Sequence, residues 1–158
     1  IKTDIKMKVG EITLSILESI EKQLIENTIV WINYTNNLLE DVNIDVKTSQ
    51  CFVKTNKKYL KNIRVQTALK NFLVAKAQNP QQPYGGKDYP MMGKGPLGGI
   101  KHAGLTNDVS VMYEIKNNVI YLFALGSHDE LGFGRPNNIK KQKSLVKKIN
   151  NFCKDEGL

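Results

Sequence analysis

The sequence predicts an α+β fold: a small, mostly antiparallel sheet with helices packed on one face, an extra helix at the N-terminus and a basic helix at the C-terminus. Three observations carry this prediction. Helical periodicity dominates the first half, at residues 14–39 and 64–78. Strand-like alternation and apolar runs follow one another between residues 99 and 125. A Gly- and Pro-rich stretch separates the two regions. A run of helices followed by a run of strands fits α+β better than an alternating pattern.

Each element is read in order. Residues 14–39 contain neither Gly nor Pro, and Leu17, Ile20, Leu24, Trp31, Tyr34 and Leu38 recur at helical steps behind a Thr13 N-cap. Residues 43–53 read as an opening strand, with Ile44, Val46 and Thr48. A short basic helix is expected over 52–60. A longer one covers 64–78, with Val65, Leu69, Phe72 and Leu73 as its buried stripe, and Asn79-Pro80 ends it. Residues 80–99 hold six Gly and four Pro and read as loop, with a short strand at 89–92. Strands are expected at 99–105, 109–115 and 119–125, the last two joined by an Asn117-Asn118 turn. A polar loop at 126–134 leads to a final helix over 136–153. There Leu145, Ile149 and Phe152 point inward and Lys140, Lys141, Lys143, Lys147 and Lys148 point outward.

Charge divides the chain. Residues 1–40 carry four Lys against six acidic residues, a net −2, while residues 41–158 carry nineteen Lys or Arg against nine acidic residues, a net +10. We expect a helical extension at 1–40 and one domain over 41–158. A basic body suits nucleic acid or an acidic protein partner. Cys51 and Cys153 stand in no metal-binding spacing and the chain has two His, so a zinc site is not expected and the cysteines read as two buried free thiols, with a disulfide the alternative. No apolar run reaches the roughly 18 residues of a membrane span, and no signal-peptide core is seen. The chain opens on Ile1 rather than Met and is expected to be a piece of a longer polypeptide or a trimmed one.

Three pieces of the sequence carry a resemblance: KDYPMMG at 87–93, the central strands with Asp108 and Tyr113, and GSHDELGFG at 126–134. Together they resemble the YafQ branch of the RelE-like toxins, over about residues 43–134. The resemblance implies a RelE-like fold and a toxin that cuts RNA by internal transesterification without a metal or other cofactor. The implied substrate is ribosome-bound mRNA or tRNA, and the implied partner is a cognate antitoxin or immunity protein. The implied site of action is cytoplasmic, with delivery as the C-terminal part of a secreted or contact-dependent toxin also open.

That chemistry needs a base for the 2′-OH, a cation for the phosphate and an acid for the leaving 5′-oxygen. His128, aligned with the family's functional histidine, is the leading acid or base; otherwise it is a loop residue beside Asp129. His102 either faces substrate or sits on a surface strand. Asp108 matches a family carboxylate, or caps the Thr106-Asn107-Asp108 turn. Lys87, Lys94, Lys101 and Arg135 are the candidate cations, with Lys101 grouped among the catalytic residues. Tyr89 and Phe133 are candidates to stack on a base. The chain departs from the family at Tyr89, Gly104 and Ala124, where the family has His, His and Arg. Those departures keep open a RelE/ParE-fold protein without nuclease activity, such as a gyrase inhibitor or a nucleic-acid binder.

Overall fold

The computed structural model describes residues 44–158. The predicted helix at 14–39 and the boundary expected between residues 40 and 41 lie outside them. The described chain forms β1 (Asp45–Thr48), α1 (Gln50–Lys57), α2 (Ile63–Gln78), β2 (Asp88–Pro90), β3 (Lys101–Gly104), β4 (Val109–Lys116), β5 (Val119–Ser127), the single turn α3 (His128–Leu131) and α4 (Ile139–Asp155). This is the α+β class the sequence predicts, with one difference: helices cover both faces of the sheet rather than one. Among the described residues, no helix is long and apolar enough to cross a membrane.

The five strands lie in the order β1-β5-β4-β3-β2. All pairings are antiparallel except β1 with β5, which is parallel. Asn117 and Asn118 turn the β4–β5 hairpin, both with positive φ (53° and 59°), the signature of a tight primed turn. Asn tolerates that conformation through its short polar side chain.

The sheet is buried on both faces. One face packs on α1 and α2: Phe52, Val65, Leu69, Phe72 and Leu73 meet Val46, Val111, Tyr113, Ile120, Leu122 and Leu125. The basic helix α4 covers the other face through Leu145 and Ile149, against Tyr121, Phe123 and Ala124. Two-sided burial explains why residues 119–125 read as an unbroken apolar run. Phe123 has no partner on β4, because Met112 pairs with Ala124 and Tyr113 with Leu122. This bulge shifts the alternation, so that adjacent Phe123 and Ala124 both serve the α4 face. Helix α1 satisfies the backbone nearby. The Ser49 hydroxyl donates to the Phe123 carbonyl at 2.8 Å, and the Leu125 N–H donates to the Thr55 hydroxyl at 3.0 Å.

The element boundaries differ from expectation most clearly at three places. The opening strand stops at Thr48, because Ser49 caps a helix there, accepting from the Phe52 N–H at 3.0 Å. The short strand expected at 89–92 is Asp88–Pro90. The stretch read as a polar loop instead extends β5 to Ser127 and adds α3. A capping box closes α3: the Ser127 hydroxyl accepts from the Glu130 N–H, and the Glu130 carboxylate accepts from the Ser127 N–H.

Candidate active site

Strand alternation sorts the candidate residues. Tyr89 pairs with His102, and both side chains lie on the face of the sheet away from α2. Ser110, opposite Gly104, shares that face. Beside α4 this part of the face is uncovered, and it forms a cleft of about 990 Å³. His102, His128, Asp108, Lys87, Tyr89, Phe133 and Arg135 all line it. Of the nine residues singled out in the sequence, Lys94 and Lys101 are the two absent. Lys94 projects from the loop before β3 and is exposed. Lys101 corrects the sequence reading. As the neighbour of His102 on β3 it leaves the strand on the opposite face, and its ammonium lies 3.4 Å from Glu114.

His128 opens α3 at the end of central strand β5 and is exposed. Phe133 backs it, with ring centroids 4.7 Å apart. The turn beneath it is braced from α1 and its following loop. Lys58 donates to Glu130 at 3.1 Å, and the Tyr59 hydroxyl donates to the same carboxylate. Burial alone would raise the Glu130 pKa. The Ser127 N–H, Tyr59 and Lys58 outweigh it and hold the carboxyl down to about 2. The same contact, added to burial, pushes the Tyr59 phenol up to about 12. Gly134 closes the loop: a Cβ there would collide with the Asp129 carboxylate, which would have to turn aside to admit a larger residue.

His102 is 6% exposed, between the rings of Tyr89 (4.8 Å, edge-on) and Phe133 (5.8 Å, edge-on). Its Nδ1 is buried and makes no hydrogen bond. Burial pushes its pKa below the ordinary histidine value, and neighbouring His128 adds to that. The cleft therefore holds one exposed imidazole and one buried, readily neutral one.

Sequence reasoning missed the group behind β2. Asp88 points the opposite way from Lys87 and Tyr89 and forms a 2.6 Å ion pair with Lys76 of α2, both side chains 3% exposed. The Tyr113 hydroxyl donates to the Asp88 carboxylate, and the Tyr84 N–H donates to it at 2.7 Å. Burial would raise the Asp88 pKa, and these three donors together hold it below the usual value. The signal was legible: in a strand, Lys87-Asp88-Tyr89 must place its middle residue on the other face. Ser127 and Glu130 were likewise readable as an S-x-x-E capping box. Among the described residues, no group of three or more His, Cys, Asp or Glu is placed to hold a metal ion, and Cys51 and Cys153 are free, half-buried thiols.

No protein-family model matches the chain, and no curated protein matches it. Solved structures do. A metal-bound toxin from Helicobacter pylori is 31% identical, over 56% of this chain and 98% of that one, with a TM-score of 0.46. A copper-bound mutant toxin from Helicobacter pylori is 25% identical, over 56% of this chain and 98% of that one, with a TM-score of 0.46. The structure of the E. coli DinJ–YafQ toxin–antitoxin complex matches at 22% identity, over 58% of this chain and 99% of that one, with a TM-score of 0.47.

Proposed function

We propose that this chain is a toxin endoribonuclease that cleaves RNA, on ribosome-bound mRNA or on tRNA, by acid–base transesterification carried by its own side chains. One observation carries the reading. A single cleft gathers an exposed histidine, a carboxylate, two cations and two aromatic rings. Those are the parts that proton transfer, charge stabilisation and base stacking need.

In this reading RNA lies along the cleft with a phosphate near Lys87 and Arg135. The 2′-oxygen attacks phosphorus as its proton passes to a base, and the P–O5′ bond breaks as the 5′-oxygen takes a proton from an acid. The products are a 2′,3′-cyclic phosphate and a 5′-hydroxyl. His128 performs one of the two proton transfers, because an imidazole can both accept and donate a proton and this ring is open to the cleft. Asp108, exposed at the cleft edge, is the candidate for the other, or orients the histidine. His102 serves as a neutral ring in the wall. Tyr89 and Phe133 offer faces for bases. Such a toxin calls for a cognate antitoxin or immunity protein, and an acidic one would complement the basic body.

Inducible expression in bacteria followed by sequencing of RNA ends tests this. Discrete cuts in tRNA, or cuts in mRNA only during translation, support the reading and name the substrate. Growth arrest with intact RNA and inhibited DNA supercoiling would instead place the chain with non-nuclease toxins of this fold.

A further inference from the structure

Lys87 and Arg135 are the two cations that line the cleft, and neither forms an ion pair among the described residues. They are held very differently. Both residues are exposed, and Arg135 belongs to the loop that follows α3. Lys87 sits on a pinned segment. Its carbonyl accepts from the Gly104 N–H at 2.7 Å. The next residue, Asp88, is locked into the core by Lys76, Tyr113 and the Tyr84 N–H. The Lys87 stem also crosses Gly104 at the place where a side chain would stand: a Cβ at 104 would meet Lys87 Cβ at 3.3 Å and Cδ at 3.6 Å. The glycine leaves a track in the cleft wall, and the lysine occupies it.

We propose that Lys87 is the cation that faces the phosphate being cleaved, and that Gly104 and Asp88 are positioning residues that aim it. The proposal rests on the nuclease reading above and adds to it the source of charge stabilisation. Removing a fixed charge that acts on the transition state slows an enzyme by about 10² to 10³. Small misplacement of a reacting group is also costly, up to about 10².

The test uses the full chain, single-turnover cleavage of bulk RNA, and binding of a 2′-O-methylated RNA that cannot be cut. Lys87→Gln is expected to slow cleavage about 100-fold with unchanged melting temperature. Binding of the uncut RNA should weaken modestly, and its log–log salt slope should fall by about 0.7. Gly104→Ala should slow cleavage about tenfold, and should have no further effect in the Lys87→Gln background, because both changes act on one group. Asp88→Asn strands the Lys76 charge in the core and endangers folding, so Tyr113→Phe, which removes one donor to Asp88, is the milder probe and should behave like Gly104→Ala. If Lys87→Gln cleaves at the wild-type rate while His128→Ala does not cleave, the assignment is overturned and the nuclease reading stands. If the Gly104 and Lys87 effects multiply independently, the positioning role of Gly104 is overturned. If the wild-type chain cuts no RNA, the nuclease reading falls and the role of Lys87 falls with it.

Discussion

His102 and His128 line the same cleft with opposite exposures, and their surroundings divide the work between them. His128 is exposed at the start of α3, whereas His102 is buried between two rings. Because burial lowers the His102 pKa from 6.5, the unfolded chain takes up that proton first as pH falls, and the fold loses stability below about pH 6.5. An NMR titration should find the His102 ring titrating below its ordinary value. Glu130 acts in a lower window. Its ionised carboxylate stabilises the fold above the ordinary value of 4.5, and that contribution is lost as pH falls from there to about 2. Glu130→Gln should flatten thermal stability across that lower window only, leaving the fall below pH 6.5 in place; an unchanged curve in melting experiments would contradict the assignment. At this scale the sequence was most legible for His128, which carries a motif. Strand alternation sets the face that Asp88 takes, but its partner Lys76 was not legible, because the ion pair joins residues twelve positions apart, one on a helix and one on an edge strand.

The elements that build the cleft are small and are held from behind. β2 has three residues at the edge of the sheet, and the buried Asp88 cluster fixes it to α2. α3 is a single turn fixed by its capping box and by contacts from Lys58 and Tyr59. Loss of a serine cap costs about 1 kcal/mol, so Ser127→Ala should destabilise the chain by that much in chemical denaturation and should depress RNA cleavage, since His128 begins the turn. Phe72 is fully buried and packs edge-on against Tyr84 and Tyr113. Phe72→Ala should cost about 3–5 kcal/mol, far more than a surface change on α4. The helices and central strands were legible because their apolar spacing is long and regular. Apolar spacing does not reveal the start of α1 or the turn α3: each is decided by one serine hydroxyl meeting a backbone N–H, a local bond that overrides a β-branched or polar run, and for α3 the S-x-x-E capping box is the signal in the sequence.

At the scale of the molecule, the described domain presents its basic helices on both faces of a sheet and leaves one corner of that sheet open. The α+β class was legible in the sequence, and seven of the nine candidate residues line the cleft. Lys101 was misplaced because charge and proximity in the chain say nothing about which face of a strand a side chain takes, and the count from His102 does. The basic surplus over residues 41–158 predicts RNA binding that weakens steeply with salt, measurable as a linear fall of log affinity with log salt concentration. In the proposed reaction the side chains of this cleft cut RNA themselves, with His128 moving a proton. The most direct measurement is cleavage of RNA by the purified chain in EDTA, comparing wild type with His128→Ala and analysing the ends. The account predicts 2′,3′-cyclic phosphate ends from the wild type and no cleavage from a folded His128→Ala. Undiminished cutting by His128→Ala, or a strict need for a divalent ion, would contradict it.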